Sequence, residues 1–237
     1  MDTDAVGPPA VQPTWLREVE TAVVTNAQVL LYGNVRDQYL LPAPDGGVGF
    51  FSIRDALWSV LSRIGSHALV SADAVGGLTV DGRPPAPGEW EPEQVAKDLL
   101  GKRLSGGPPS LEALGAVLRD VAAPPARQRV GIVMEYAARL VRGLPGLDPT
   151  EHLFFALCEK LANTTLPLLW LDGTARYNPV IWVVQHEREL PTWLLASGEG
   201  IRRIAVPVPE LHDRLTPPPP AGPAGGAHRP RRASAAR

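Results

Sequence analysis

Short, continuously apolar runs alternate with segments of helical periodicity along most of the chain. The runs at residues 27–33, 129–134 and 179–184 predict three buried strands, and residues 204–208 predict a fourth, whose Pro207 suits a strand end or a sheet edge. Strands of this kind, when helices separate them, favour a parallel sheet that is covered on both faces. The pattern therefore predicts an α/β fold with three layers, α/β/α, around a mostly parallel sheet.

The segments between these runs have apolar residues at helical spacing. The predicted helices cover residues 15–24, 52–64, 93–100, 110–121 and 150–163, and a further short strand is predicted at residues 67–71. Ser52 and Thr150 stand where the N-caps of two of these helices belong. The stretch 76–92 is rich in Pro and Gly and is predicted to be a loop.

Composition sets the predicted domain boundaries. Residues 1–13 are polar and proline-rich, and residues 213–237 consist largely of Pro, Ala, Gly and Arg, so both ends are predicted to be disordered. Residues 14–212 are then expected to form one α/β domain. A chain of 237 residues is long enough to bury the core of such a domain.

Charge and cysteine content exclude several classes of function. The net charge is −2 and the six tryptophans follow no regular spacing, which argues against a nucleic-acid partner. A single cysteine excludes an internal disulfide framework and a multi-cysteine zinc site. The start of the chain is not a secretory signal, and no apolar run reaches the roughly 18 residues that span a bilayer. We therefore expect a cytoplasmic protein without a membrane partner.

Two groups of residues outside the apolar pattern carry reactive side chains. Cys158 lies among phenylalanines and leucines of one predicted helix, so it is expected to be a core thiol rather than a nucleophile paired with His152. His186, Glu187 and Glu189 follow a predicted strand, at the end where open α/β sheets place their sites. This cluster leaves open a small α/β enzyme with acid–base or metal chemistry.

Residues 181–210 combine a strand, the pattern L-x-x-x-L-L and the ending V-P-x-P followed by an acidic residue. In this order and spacing they resemble the AAA+ branch of the P-loop ATPases. The resemblance places Gln185 on the family's sensor residue and Arg202 on the second of two arginines that reach the nucleotide of a neighbouring subunit. Glu199 stands where the first of these arginines is expected.

Residues 29–33, VLLYG, are similar to the strand that precedes the family's phosphate-binding loop. Gly33, Asn34 and Arg36 would then occupy the phosphate-loop position in a degenerate form. The loop's chemistry needs glycines whose N–H groups surround the phosphates, a lysine and a Ser/Thr that binds Mg²⁺. The positions of two glycines, the lysine and the Ser/Thr are taken here by Arg36, Gln38, Tyr39 and Leu40.

The segment VGIVMEY at residues 130–136 resembles the family's second motif, in which an Asp-Glu pair follows an apolar strand. The Asp holds Mg²⁺ through water and the Glu activates the attacking water. Glu135 is the one carboxylate retained, and either Met134 or Tyr136 replaces the other. A single Glu is also an ordinary way for a chain to leave a buried strand.

The resemblance implies a degenerate AAA+ ATPase-like domain that does not turn over ATP itself and acts as an assembly or regulatory partner of an active ATPase. Binding of ATP and Mg²⁺ is then expected to be weak or lost. A weak nucleotide-binding ATPase with a rearranged phosphate loop is the alternative within the same family.

The end of the chain carries two further expectations. The family's helical lid is expected after Glu210, where this chain continues into the Pro/Ala/Gly/Arg tail, so self-association or a partner ATPase domain is expected to cover the surface left apolar. The tail has the composition of GC-rich DNA read out of frame, which predicts a truncated gene from a GC-rich bacterium.

Overall fold

The computed structural model describes residues 12–43, 47–82, 91–101, 107–124, 128–141, 144–170, 173–196 and 200–208. The strands in these residues are, in chain order, β1 (Gln28–Gly33), β2 (Tyr39–Pro42), β3 (Val48–Phe51), β4 (Ala68–Asp73), β5 (Gly77–Gly82), β6 (Val130–Glu135), β7 (Leu168–Leu169), β8 (Ala175–Arg176), β9 (Val180–Val184) and β10 (Ile201–Val206). The helices are α1 (Thr14–Thr25), α2 (Ile53–Arg63), α3 (Pro92–Leu99), α4 (Leu111–Ala122), α5 (Pro149–Thr164) and α6 (Thr192–Ala196).

Six of the strands form one sheet, in the order β10-β1-β9-β6-β4-β5. The first five are parallel to one another, and β5 pairs antiparallel with β4 at one side. The predicted α/β class with a mostly parallel sheet is therefore confirmed. Strand β9 separates β1 from β6, so the segment that resembles a sensor strand lies between the two strands that resemble the nucleotide-binding motifs.

Alternate residues of the central strands pack against helices on opposite faces. Val29, Leu31 and Ile181 belong to the core that α1 and α2 cover, whereas Leu30 and Trp182 belong to the core on the side of α3, α4 and α5. Because both faces are covered, these strands are apolar at nearly every position, which is why their sequence shows runs rather than alternation.

One buried polar pair ties β1 to β9 within the second core. The Gln28 side chain is 1% exposed; its amide donates to the carbonyl oxygen of Cys158 at 2.7 Å, and its oxygen accepts from the Trp182 indole at 2.9 Å. Cys158 is fully buried, and burial raises the pKa of its thiol. The prediction of a core thiol is confirmed.

Several elements differ from the sequence prediction. Strand β5 lies within the stretch that was predicted as a loop. It was missed because its alternation of apolar and polar residues is short and is bounded by glycines. The hairpin of β2 and β3 was not predicted. The N-cap of α5 is Asp148 rather than Thr150, since Pro149 can begin a helix and Asp148 accepts hydrogen bonds from the first-turn N–H groups. Strand β10 begins at Ile201, earlier than predicted. The sequence pattern did not indicate this start, because Arg202 and Arg203 lie on an exposed edge and interrupt the apolar run.

The predicted leader and tail fall almost entirely outside the described residues, as do Glu199 and Glu210. The division of the chain into a leader, a domain at 14–212 and a tail, and the truncation of the gene, remain predictions.

Candidate functional site at the carboxyl edge of the sheet

The parallel strands end together at one edge of the sheet, which we call the carboxyl edge. Gly33 of β1 pairs with Val206 of β10, and Asp73 of β4 pairs with Glu135 of β6. Ligands of open α/β sheets bind outside this edge. The predicted residues Gly33, Asn34, Arg36, Glu135 and Gln185 all follow or end strands here, so the fold brings them to one region.

The backbone N–H groups at the end of β1 and directly after it are hydrogen-bonded to carbonyl groups of the chain. The N–H of Gly33 donates to the Gln185 carbonyl at 3.0 Å, that of Asn34 to the Val206 carbonyl at 2.9 Å, and that of Val35 to the Gly33 carbonyl at 2.9 Å. A phosphate-binding loop needs such N–H groups to point at the ligand. In this loop the three donors are already bonded to the chain, so these residues do not fit a bound triphosphate.

Gly33 itself is required by the close approach of β10. Its φ is +105°, and a Cβ atom there would lie 2.6 Å from the Val206 carbonyl oxygen. The glycine that resembles the first residue of a phosphate loop is thus explained by packing between two strands.

Tyr39 does not lie where a lysine would reach a phosphate. It begins β2, is 5% exposed and packs against Trp15 with ring centroids 5.0 Å apart. Its hydroxyl donates to the Asn34 carbonyl, and burial, followed by the charge of Asp37, raises the pKa of the phenol. The alignment of Tyr39 with the lysine therefore holds in sequence only, because a hairpin stands between β1 and the next helix.

The helix that follows β1 carries its own anion at its N-terminus. In α2 the Ser52 hydroxyl accepts from the Asp55 N–H at 3.2 Å, while the Asp55 carboxylate accepts from the Ser52 N–H at 3.4 Å and the Ser52 hydroxyl at 2.6 Å. This capping box confirms Ser52 as the N-cap and places a carboxylate where a phosphate would be attracted.

Arg54, in the first turn of α2, contacts residues of β5 and β6. It pairs with the Asp81 carboxylate, to which its Nε donates at 2.6 Å, and it donates to the Thr79 hydroxyl at 3.1 Å. Another nitrogen of its guanidinium is 4.0 Å from the Glu135 carboxylate. Neither Arg54 nor Asp81 was predicted as a site residue, and Asp81 lies in the stretch predicted as a loop.

Glu135 ends β6 with a side chain that is 20% exposed. Burial raises the pKa of this carboxyl, Arg54 opposes the shift, and the negative charges of Asp73 and Asp81 add to it. The Ser71 hydroxyl favours the ionised form. The residue therefore has an arginine, rather than a lysine of the phosphate loop, as its counter-charge.

Tyr136 follows Glu135 in the left-handed conformation, with φ of 52°, and is 46% exposed. The Arg36 guanidinium lies 5.3 Å from the centroid of its ring. This contact joins the loop after β1 to the loop after β6 across the end of β9. Met134, by contrast, is fully buried on the side of α3, α4 and α5.

Gln185 approaches Gly33 through its backbone. Its carbonyl accepts from Gly33, and its N–H donates to the Glu189 carboxylate at 3.0 Å. Glu187 lies 3.9 Å from Arg203, and His186 is exposed. The carboxylates of the predicted cluster thus cap a turn and pair with an arginine instead of converging, and no three metal-ligating side chains converge among the described residues.

Arg202 lies far from this region. It pairs with Val29 in the register of β10 and β1, four residues before Gly33, so it is about 13 Å away along the strand. It is exposed and lines a groove beside α1 with Arg17 and Glu18. Its position excludes a role at the carboxyl edge of its own domain.

Within the described ranges, no helix combines the length and the apolar character that crossing a membrane requires.

Comparison with known proteins bears on the whole domain. The family model described as "AAA+ chaperone, N-terminal Rossmann-like domain" matches residues 7–207. No curated protein and no solved structure matched the chain. The match covers more than four fifths of the sequence and includes every strand of the six-stranded sheet. The resemblance inferred from the motifs is confirmed: the chain belongs to the family of AAA+ chaperone N-terminal Rossmann-like domains.

Proposed function

We propose that this domain is a non-catalytic AAA+ module that assembles with an active ATPase and regulates it, without turning over ATP itself. The observation that carries the proposal is the hydrogen bonding after β1, where the N–H groups of Gly33, Asn34 and Val35 are bonded to carbonyl groups of the chain. Phosphate binding at this loop would require those bonds to break.

The first turn of α2 supports the same conclusion. A helix N-terminus attracts anions, but here the Asp55 carboxylate already lies there. Arg54, the cation that this turn carries, is held by Asp81, which is 5% exposed. Both features that would favour a phosphate group are therefore bonded to carboxylates of the domain.

Calorimetry with ATP and Mg²⁺ on the full chain tests the proposal. We expect no hydrolysis and no binding tighter than millimolar. Micromolar binding would contradict it and would favour the alternative, a weak ATPase with a rearranged phosphate loop.

Arg202 provides the regulatory half of the proposal. An arginine that acts on the neighbouring subunit is positioned by its own domain, so it can be retained where that domain's own site is lost. In an assembly with the cognate active ATPase, Arg202→Ala is expected to lower ATP turnover by roughly 10³-fold, the effect of removing a true arginine finger. The melting temperature should stay the same, because the side chain is exposed.

The matched control is Arg203→Ala. Adjacent strand residues point to opposite faces, and Arg203 makes a surface contact with Glu187 at 3.9 Å. If both variants leave turnover of the assembly unchanged, Arg202 has no role in regulation.

A further inference from the structure

We propose that the outer side of β10 binds an extended acidic segment of a partner protein, which adds to the sheet as a further strand. This inference deepens the proposed function, on which it rests, by naming the surface and the chemistry through which a partner attaches. The surface, called here the β10 edge, consists of the backbone of residues 201–206 and the groove between this strand and α1.

The backbone of the β10 edge offers unused hydrogen-bonding groups. The carbonyl groups of Gly200 and Val206 accept from Gln28 and Asn34 of the β1 segment, so even-numbered residues of β10 face β1. Because strand residues alternate, the N–H and carbonyl groups of Ile201, Arg203 and Ala205 point away from the sheet. Among the described residues β10 pairs with β1 alone, which leaves this row open.

Arginines outnumber carboxylates beside the edge. Arg202 is exposed on the α1 side and makes no ion pair with any described residue, while Arg203 is 55% exposed on the other side, where it lies 3.9 Å from Glu187. Arg17 lines the groove from α1, where Glu18 is the one acidic neighbour. A strand added between these arginines would place its alternate side chains beside them.

Charge decides which segment fits. Cations along a sheet edge repel neutral or basic strands through their cost of desolvation and like charge, and so prevent unwanted pairing. The same cations attract carboxylates, so the edge discriminates in favour of an acidic strand. The groove is lined by residues along α1, which is about 18 Å long for its 12 residues, and this length matches a strand of about five residues.

Binding of a defined peptide to the full chain tests this inference. The probe is an N-acetylated, C-amidated octapeptide of alternating valine and glutamate, and the control peptide has lysine in place of each glutamate. We expect the acidic peptide to bind at least tenfold more tightly than the basic one. It should also slow hydrogen exchange of the Ile201, Arg203 and Ala205 amides.

Two substitutions locate the peptide. Ala205→Pro removes one outward N–H at a position where an edge strand tolerates proline, and Arg202→Glu reverses a flanking charge. Each is expected to weaken binding of the acidic peptide at least tenfold, whereas Ala205→Ser and Arg119→Glu, which lies on α4, should leave it unchanged. If Ala205→Pro proves unstable, hydrogen exchange of the wild-type amides with the peptide bound decides the question.

Three outcomes would overturn the proposal. These are equal binding of both peptides, protection of amides at the carboxyl edge in place of β10, and protection of β10 by a second copy of the chain in the absence of peptide. None of them bears on ATP binding, so failure here is distinguishable from failure of the non-catalytic function.

Discussion

Arg54 and Asp81 form an ion pair that joins the first turn of α2 to the antiparallel strand β5. Their side chains are 19% and 7% exposed, so the pair is largely removed from water. It holds α2 against β5, at the edge of the sheet, and places a positive charge 4.0 Å from the Glu135 carboxylate.

Removal of one partner from this pair should be costly. Arg54→Met leaves the Asp81 carboxylate buried without its cation, which we expect to lower the free energy of unfolding by roughly 3 kcal/mol. Urea denaturation followed by tryptophan fluorescence measures this loss. The double variant Arg54→Met/Asp81→Asn should lose clearly less than the sum of the two single changes, because the charges are coupled. Additive losses would show that the two side chains do not act as a pair.

Tyr39→Lys tests whether position 39 acts as a phosphate-binding lysine, as the sequence alignment suggests, or is a buried packing position, as in the structure. If position 39 reached a phosphate, lysine would restore nucleotide binding. We expect instead no ATP binding by calorimetry and a loss of about 3 kcal/mol or more in stability, because the ammonium group would be buried beside Trp15. Tyr39→Phe, which removes only the hydrogen bond to the Asn34 carbonyl, should lose about 1 kcal/mol. A stable Tyr39→Lys variant that binds ATP would contradict this account.

Gly33→Ala should destabilise the domain by more than about 2 kcal/mol, because it adds a Cβ against the Val206 carbonyl and requires a left-handed backbone. The comparison is Gly146→Ala, where a Cβ meets no atom within 4 Å and should change stability little. Thermal melting followed by circular dichroism measures both. Equal melting temperatures would mean that β10 can move away from the loop.

Glu135 should make stability depend on pH in an unusual direction. Burial raises its pKa above the ordinary 4.5, so the folded protein binds more protons than the unfolded chain between that value and the raised pKa. The free energy of unfolding therefore contains a part that falls as pH rises through this window, despite the favourable charge of Arg54. Asp73 and Asp81 face the same carboxyl and add to the effect.

Glu135→Gln should remove that part of the pH dependence. Urea denaturation between pH 4 and pH 8 compares the variant with the wild type and with Glu93→Gln, an exposed acid on α3. Identical pH profiles for all three proteins would show that Glu135 titrates as it does in the unfolded chain.

The apolar runs were sufficient to predict the central sheet. Strands that are buried on both faces, such as β1 and β9, have no other stable environment, so residues 27–33 and 179–184 were identified correctly. Strand β5 was missed because its face toward α2 carries the polar residues Thr79 and Asp81. Both are bonded to Arg54, which lies far away in the sequence, so their burial has no local signal.

The sequence predicted the strands that carry the candidate residues but not the contacts that those residues make. Motif order predicted the strands β1, β6 and β9, and the structure places the ends of these strands, with Gly33, Glu135 and Gln185, at one edge of the sheet. The role of these residues remains a prediction. The hairpin of β2 and β3, which separates Tyr39 from α2, was not predicted because its strands are only short segments in the sequence. The capping box had a readable signal, since Ser52 is followed by an acidic residue three positions later.

The capping box of α2 has a consequence for how the domain responds to the state of the cell. A ligand that binds only the folded form raises stability in proportion to the logarithm of its concentration. On the proposed function, a domain that holds Asp55 at the N-terminus of α2, beside a loop closed by its own carbonyl groups, has no such gain from ATP. We therefore expect the stability of the domain to be independent of the ATP concentration, and hence the same in cells with high and with low energy supply.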